Sequence, residues 1–162
     1  MRKIVAEKRP DMPYARMIMD AAELKSLYDT DELAWIEEQI AALQADDLDR
    51  LDRANLIEYL TDMAKRERRE LESRLIVLAT HVLKCRIQPP PSRSWRLTIL
   101  EQQRMVSAML RDYPSLAAQA DGLLRDAYPH AIIAALVETG LDRSVIPADV
   151  PSVQALLQFE VS

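Results

Sequence analysis

Glycine is nearly missing, with 2 in 162 residues. Neither G-x-G-x-x-G nor G-x-x-x-x-G-K occurs, so the two common backbone cradles for nucleotide phosphates are excluded. The single cysteine, Cys85, cannot close an internal disulfide, which fits a reducing compartment. Aromatic residues are scarce, at 2 Trp, 5 Tyr and 1 Phe, leaving little from which to build a stacking platform for bases. No uncharged stretch approaches the roughly 18 residues that a membrane span requires. The first ten residues, MRKIVAEKRP, are charged and lack the apolar run of a secretory signal, so the expectation is a cytoplasmic protein off the membrane. What remains is 49% apolar and 29% charged. A chain this long buries roughly two thirds of the surface its unfolded form exposes, enough for a core without metal or disulfide.

Charge is distributed unevenly. The net value of −5 divides into +3 over residues 1–19, −10 over 20–63, +6 over 64–104 and −4 over 105–162. An overall acidic field does not favour polyanions, yet a local cationic face is screened from it beyond about 8 Å. Opposite charges on 20–63 and 64–104 lead to the expectation that the acidic segment docks against the basic one.

Hydrophobic spacing reads as helix throughout. Residues 1–27 contain Pro10 and Pro13 and a broken apolar pattern, and are expected to be a loosely attached arm with a short helix near Met17 to Leu27. Residues 28–162 are expected to form one all-helical domain. Asp29 and Glu32 stand as an N-cap and its third helical residue, and Leu33, Ile36, Ile40 and Leu43 then repeat at 3, 4 and 3, ending near Ala45. A second helix is expected from Asp52 to Ala64 on Leu56, Leu60 and Met63. A third, Lys65 to Ile87, carries Leu71, Leu75, Leu78, Val82 and Cys85 at coiled-coil-like spacing, with Arg68/Glu72 and Glu70/Arg74 pairs. The sequence leaves open whether these two are continuous. Pro89, Pro90 and Pro91 end the run. A fourth helix is expected to start after Ser92 or Ser94 and reach Asp112, with Trp95, Ile99, Val106, Met109 and Tyr113 inward and Gln102 on the same stripe. Pro114 opens a fifth, through Ala127, and Pro129 either kinks it or opens a segment to Thr139. Gly140 then reads as a left-handed stop, and a short helix from Pro151 to Gln158 closes the chain. The expected fold is all-α: a bundle of five to seven helices, mainly antiparallel, with the first four as its core and Pro114 to Thr139 packed beside them.

Several runs carry a resemblance. LYDTDELAWIEEQIAAL, then ERRELESRL followed by HVLK, then RSWRLTILEQQR and the later PSL and ETGL segments are similar, in order and spacing, to domain-of-unknown-function family 29 over roughly Tyr28 to Leu157. Matching positions include Asp29, Trp35, Gln39, Glu58, Arg74, His81, Lys84, Ser94, Trp95, Arg96, Glu101, Gln102 and Arg104. The resemblance implies a compact all-helical bacterial domain and transfers no catalytic residue. Cys85 stands where the family usually has an aromatic, Ala64 where it often has Gly, and Val150 and Ser152 flank Pro151 where Cys and an aromatic are common. These departures weaken any role needing a π surface beside Lys84 or a thiol near Pro151.

Reactive constellations are thin. His81 and Cys85 share a helical face at (i, i+4), half of a soft-metal site, but no C-x-x-C or nearby second His completes it. Neither histidine is preceded at three residues by the Glu of a di-iron motif. Cys85 lies on an apolar stripe where burial raises the thiol pKa, against a nucleophilic role. No catalytic, cofactor or metal residue is therefore assigned. The unusual feature is a stretch without acid between Glu72 and Glu101. Lys84 and Arg86 suit a helix C-terminus, whereas Arg93 and Arg96 flank a helix start, where the dipole is already positive. Their counter-charge is expected from Glu37, Glu38 or Glu58, or else from a bound anion at Lys84, Arg86, Ser92, Arg93, Ser94 and Arg96. A polar cluster of Glu58, His81, Glu101, Gln102 and Arg104 is a second candidate.

The function expected is a non-enzymatic interaction or regulatory module that recognises a protein partner, with self-association the simplest case. Heptad-like stripes and 7 Met suit adaptable contacts. Phosphate or nucleic-acid binding through the Lys84 to Arg96 corner is an alternative, though not the favoured one, and hydrolysis at a His81-centred site a second.

Overall fold

A computed structural model describes residues 21–160. The arm expected over residues 1–27 lies outside the described residues up to residue 20. The described part contains seven α-helices and no strand: α1 (Ala21–Thr30), α2 (Glu32–Gln44), α3 (Arg53–Ile87), α4 (Arg93–Asp112), α5 (Pro114–Ala117), α6 (Ala120–Thr139) and α7 (Val153–Leu157). Short 3-10 turns follow α2 at Leu48–Arg50 and α6 at Arg143–Val145. No helix among the described residues is long and apolar enough to cross a membrane. Packing divides the chain into two compact units, Met1–Leu60 and Thr61–Ser162, with the boundary inside α3.

The first unit corrects two expectations. The N-cap of α2 is Asp31 and not Asp29, since its carboxylate accepts the Ala34 amide at 3.1 Å while Asp29 still belongs to α1. The inward face of α2 is Trp35, Gln39 and Ala42. Leu33, Ile40 and Leu43 are instead 67%, 48% and 52% exposed. The large indole decides the rotation of the helix: Trp35 meets Tyr28 and Tyr59 edge-on at 4.8 and 5.6 Å, burying more apolar area than any aliphatic neighbour could. Gln39 accepts the Asp52 amide at 2.9 Å, tying the turn after α2 to the start of α3. Asp46 turns the chain there with a φ of 58°, a conformation that Asp tolerates better than most residues.

The two helices read separately over 52–64 and 65–87 are one, the 35 residues of α3, about 52 Å long at 1.5 Å per residue. The Leu56, Leu60 and Met63 stripe is not buried as expected: Leu60 and Met63 are exposed, and Tyr59 takes the packed position against Trp35.

In the second unit, the continuous apolar stripe of α3 lies in the core as its spacing predicts. Leu71, Leu75, Leu78, Val82 and Cys85 pack with Ile99 and Val106 of α4, Leu116 of α5, Leu124, Tyr128 and Ile132 of α6, and Val153 and Leu156 of α7. Each fully buried leucine contributes about 1.5–3 kcal/mol. The Pro114 to Thr139 segment is thus part of the core rather than packed beside it. Of the surface pairs, Glu70–Arg74 forms at 2.6 Å. Arg68 donates instead to Gln119 at 3.2 Å.

Ser92 caps α4 by accepting the Trp95 amide at 3.2 Å. Tyr113, expected inward, sits between α4 and α5 and is exposed. The helix expected from Pro114 to Ala127 breaks at Ala118 and Gln119, whereas α6 continues unbroken past Pro129. Proline there removes the amide that would bond the Arg125 carbonyl. Buried Ala127, Tyr128, Ala131 and Ile132 on either side hold the helix together. Gly140 ends it in the left-handed conformation, φ 69°, where a Cβ would be strained. The last helix is stapled from two directions. The Asp121 carboxylate accepts the Val153 amide at 2.8 Å, and the Gln103 side-chain amide donates to the Leu156 and Phe159 carbonyls at 3.0 and 2.9 Å.

Candidate functional site

The corner where α3 ends and α4 begins brings together the basic residues singled out in the sequence, but puts them to different uses. Lys84 is 1% exposed. Its ammonium pairs with Glu138 of α6 and lies over the Trp95 ring, 4.4 Å from the centroid. An ammonium this deep requires a paired anion, because desolvation alone would disfavour its charge. Glu138 supplies that anion and half emerges to water. The π surface that Cys85 does not offer beside Lys84 is therefore supplied by Trp95. Glu138 was not legible as this partner, being 54 residues away with no local pattern linking the two.

Glu38 holds Arg50 at 3.1 Å, and Glu37 and Glu58 are exposed. Among the described residues neither Arg93 nor Arg96 forms an ion pair. Arg93 is exposed. Arg96 donates to the Pro91 carbonyl at 3.3 Å, and its buried Nε has no partner. That bond to the bend, together with the Ser92 cap, fixes the start of α4. Ser92 and Ser94 share a hydroxyl contact at 2.9 Å. Arg86 lies 5.5 Å from the Phe159 ring centroid.

Cys85 is buried, and burial pushes its thiol up while Lys84 and Arg96 pull it down more weakly. A thiol held above its ordinary range is a poor nucleophile at neutral pH. His81, half-buried, has Nδ1 at 2.9 Å from the Val77 carbonyl. A carbonyl only accepts, so the proton sits on Nδ1 and the ring is tied to its own helix. Glu101 and Arg104 are exposed on α4, Arg104 donating to the Met105 sulfur at 3.2 Å, while Gln102 accepts from Arg74 at 3.4 Å. No hydrogen bond among the described residues joins any two of Glu58, His81, Glu101, Gln102 and Arg104. No three of His, Cys, Asp and Glu among the described residues are placed to hold a metal ion.

The feature that sequence reasoning missed is the outer face of α2. Leu33, Ile40 and Leu43 point to solvent with Ile36 half-buried between them, in the 3-4-3 spacing that seats knobs into a facing helix. The spacing was visible, but not that a second face of the same helix would be buried instead.

A family model described as Domain of unknown function DUF29 matches residues 27–159. The chain belongs to DUF29. No curated protein and no solved structure matches it. DUF29 membership covers the α2 stripe and the α3–α4 corner alike, so both candidate surfaces lie within the family's own span.

Proposed function

We propose that this chain is a bacterial, cytoplasmic, non-enzymatic interaction or regulatory module, and that its first partner is a second copy of itself. The observation that carries this reading is the solvent-facing stripe of Leu33, Ile40 and Leu43 on α2, with Ile36 half-buried between them. An exposed apolar row at coiled-coil spacing is costly to leave in water and marks an interaction surface. Glu32 and Glu37 flank it. On the same polypeptide α3 exposes Ile57, Leu60 and Met63 and continues into Arg66, while Lys65 is held by Asp62 at 3.1 Å. Two copies exchanging α2 against α3 reciprocally make a closed, two-fold contact in which Glu32 or Glu37 can meet Arg66. Residues 28–162 would act as one domain, because α3 is unbroken through Leu60 and Thr61.

Light scattering should report a dimer at high micromolar concentration, weakened by salt, and a monomer for Ile40→Glu with an unchanged melting temperature. A monomeric wild-type chain under those conditions would remove the reading.

A second reading rests on Arg93 and Arg96, which meet no carboxylate among the described residues: phosphate or nucleic-acid binding at the proline bend. Against it, Lys84 is buried and Ser92 is occupied as a cap. A salt-dependent gel shift lost in Arg93→Ala/Arg96→Ala would support it. Absence of any shift would dismiss it.

A further inference from the structure

A hollow of about 390 Å³ opens between α6 and the loop that follows it. Pro129, Ile132 and Ile146 give it an apolar lining, and Arg125 and Arg143 line it as well. Among the described residues neither guanidinium has an ion pair or a side-chain hydrogen bond. Asp142, next to Arg143 in the chain, is turned to the Ser144 amide at 2.9 Å. Asp126, next to Arg125, is rotated away by one helical step of about 100°.

Tyr128 lines the same hollow, its ring buried in the core, and its hydroxyl makes no hydrogen bond to the protein among the described residues. Burial, reinforced by the Asp149 carboxylate and opposed by Arg86, holds this phenol above its usual range, so it remains a donor. Among the described residues the hollow thus offers two guanidiniums without an ion pair and one O–H beside an apolar surface, with the Asp149 carboxylate nearby as an opposing charge. Its volume lies in the ordinary range for small-molecule sites.

We propose that this hollow binds small carboxylates carrying an apolar body. A guanidinium fork matches a carboxylate, and the phenol adds a third donor to the same head group. The apolar body would lie on Pro129, Ile132 and Ile146. No lysine lines the hollow, which suits one carboxylate better than the several charges of a polyphosphate.

The test is calorimetric titration of the full chain with octanoate, and with 1-octanol as the uncharged analogue. Octanoate should bind at one site per chain, and 1-octanol at least about tenfold more weakly, as expected if the charged contacts carry recognition. Arg125→Ala/Arg143→Ala should abolish octanoate binding with an unchanged thermal melt, both side chains being exposed. Tyr128→Phe should weaken it severalfold. No octanoate binding at millimolar concentration, equal binding of 1-octanol, or undiminished binding by the double variant would each overturn the proposal.

Discussion

Tyr128 is placed where burial changes its chemistry, with its ring in the core of the second unit and its phenol held above the ordinary range. A group whose pKa is raised on folding binds its proton more tightly in the folded chain than in the unfolded one. The resulting stability is complete below the unfolded value, about 10, and is lost as pH rises through the folded value. Cys85, also raised by burial, acts with the same sign from a lower starting pH. Denaturation followed across the alkaline range should therefore show stability declining, with a shallower decline in Tyr128→Phe. An unchanged slope would mean that the phenol is no more perturbed than in the unfolded chain. At this scale the sequence was a partial guide. Cys85 was expected on the buried stripe and is there, and His81 is satisfied by the carbonyl one turn back. The partner of Lys84 could not be read, because an ion pair between α3 and α6 leaves no trace in either helix's own pattern.

Helix boundaries follow local rules, and the helices were legible where those rules act alone. The start of α4 depends on Ser92, whose hydroxyl satisfies one of the amides the first turn leaves open, and Arg96 adds a second tie to the Pro91 carbonyl. Ser92→Ala should cost about 1 kcal/mol in urea unfolding. Ser94→Ala, which removes only a hydroxyl contact, should cost less; equal losses would show that the cap is shared. Where two local signals compete, the pattern was insufficient. Asp29 and Asp31 both offer capping carboxylates, and only the backbone of Asp31 leaves the helical region at the right point. Pro129 is a stronger helix breaker than Ala118 or Gln119, yet the break falls at the latter pair because packing on both sides of the proline outweighs its missing amide. The rotation of α2 departs furthest from its periodic pattern. Its Leu and Ile positions repeat as regularly as any core stripe, and one indole on the opposite face prevails over them.

Across the whole molecule, the all-helical class, the number of elements and the DUF29 membership were readable, because each rests on short-range periodicity or on runs of residues in order. The division of packing was not, since a period of 3.6 identifies a face without saying what covers it. The same gap explains why candidate sites named from charge alone dispersed into separate contacts, while the hollow on α6, assembled from residues 125 to 150, had no sequence signature.

Gln103 carries a last consequence. Both hydrogen bonds that hold the Leu156–Phe159 segment against α4 come from its one side-chain nitrogen. Deamidation to glutamate would preserve the outline of the side chain and replace that nitrogen with an oxygen, turning two attractions toward carbonyls into two repulsions. One of the two staples of α7 is thus exposed to a slow chemical ageing of a single atom, which no change in shape would betray.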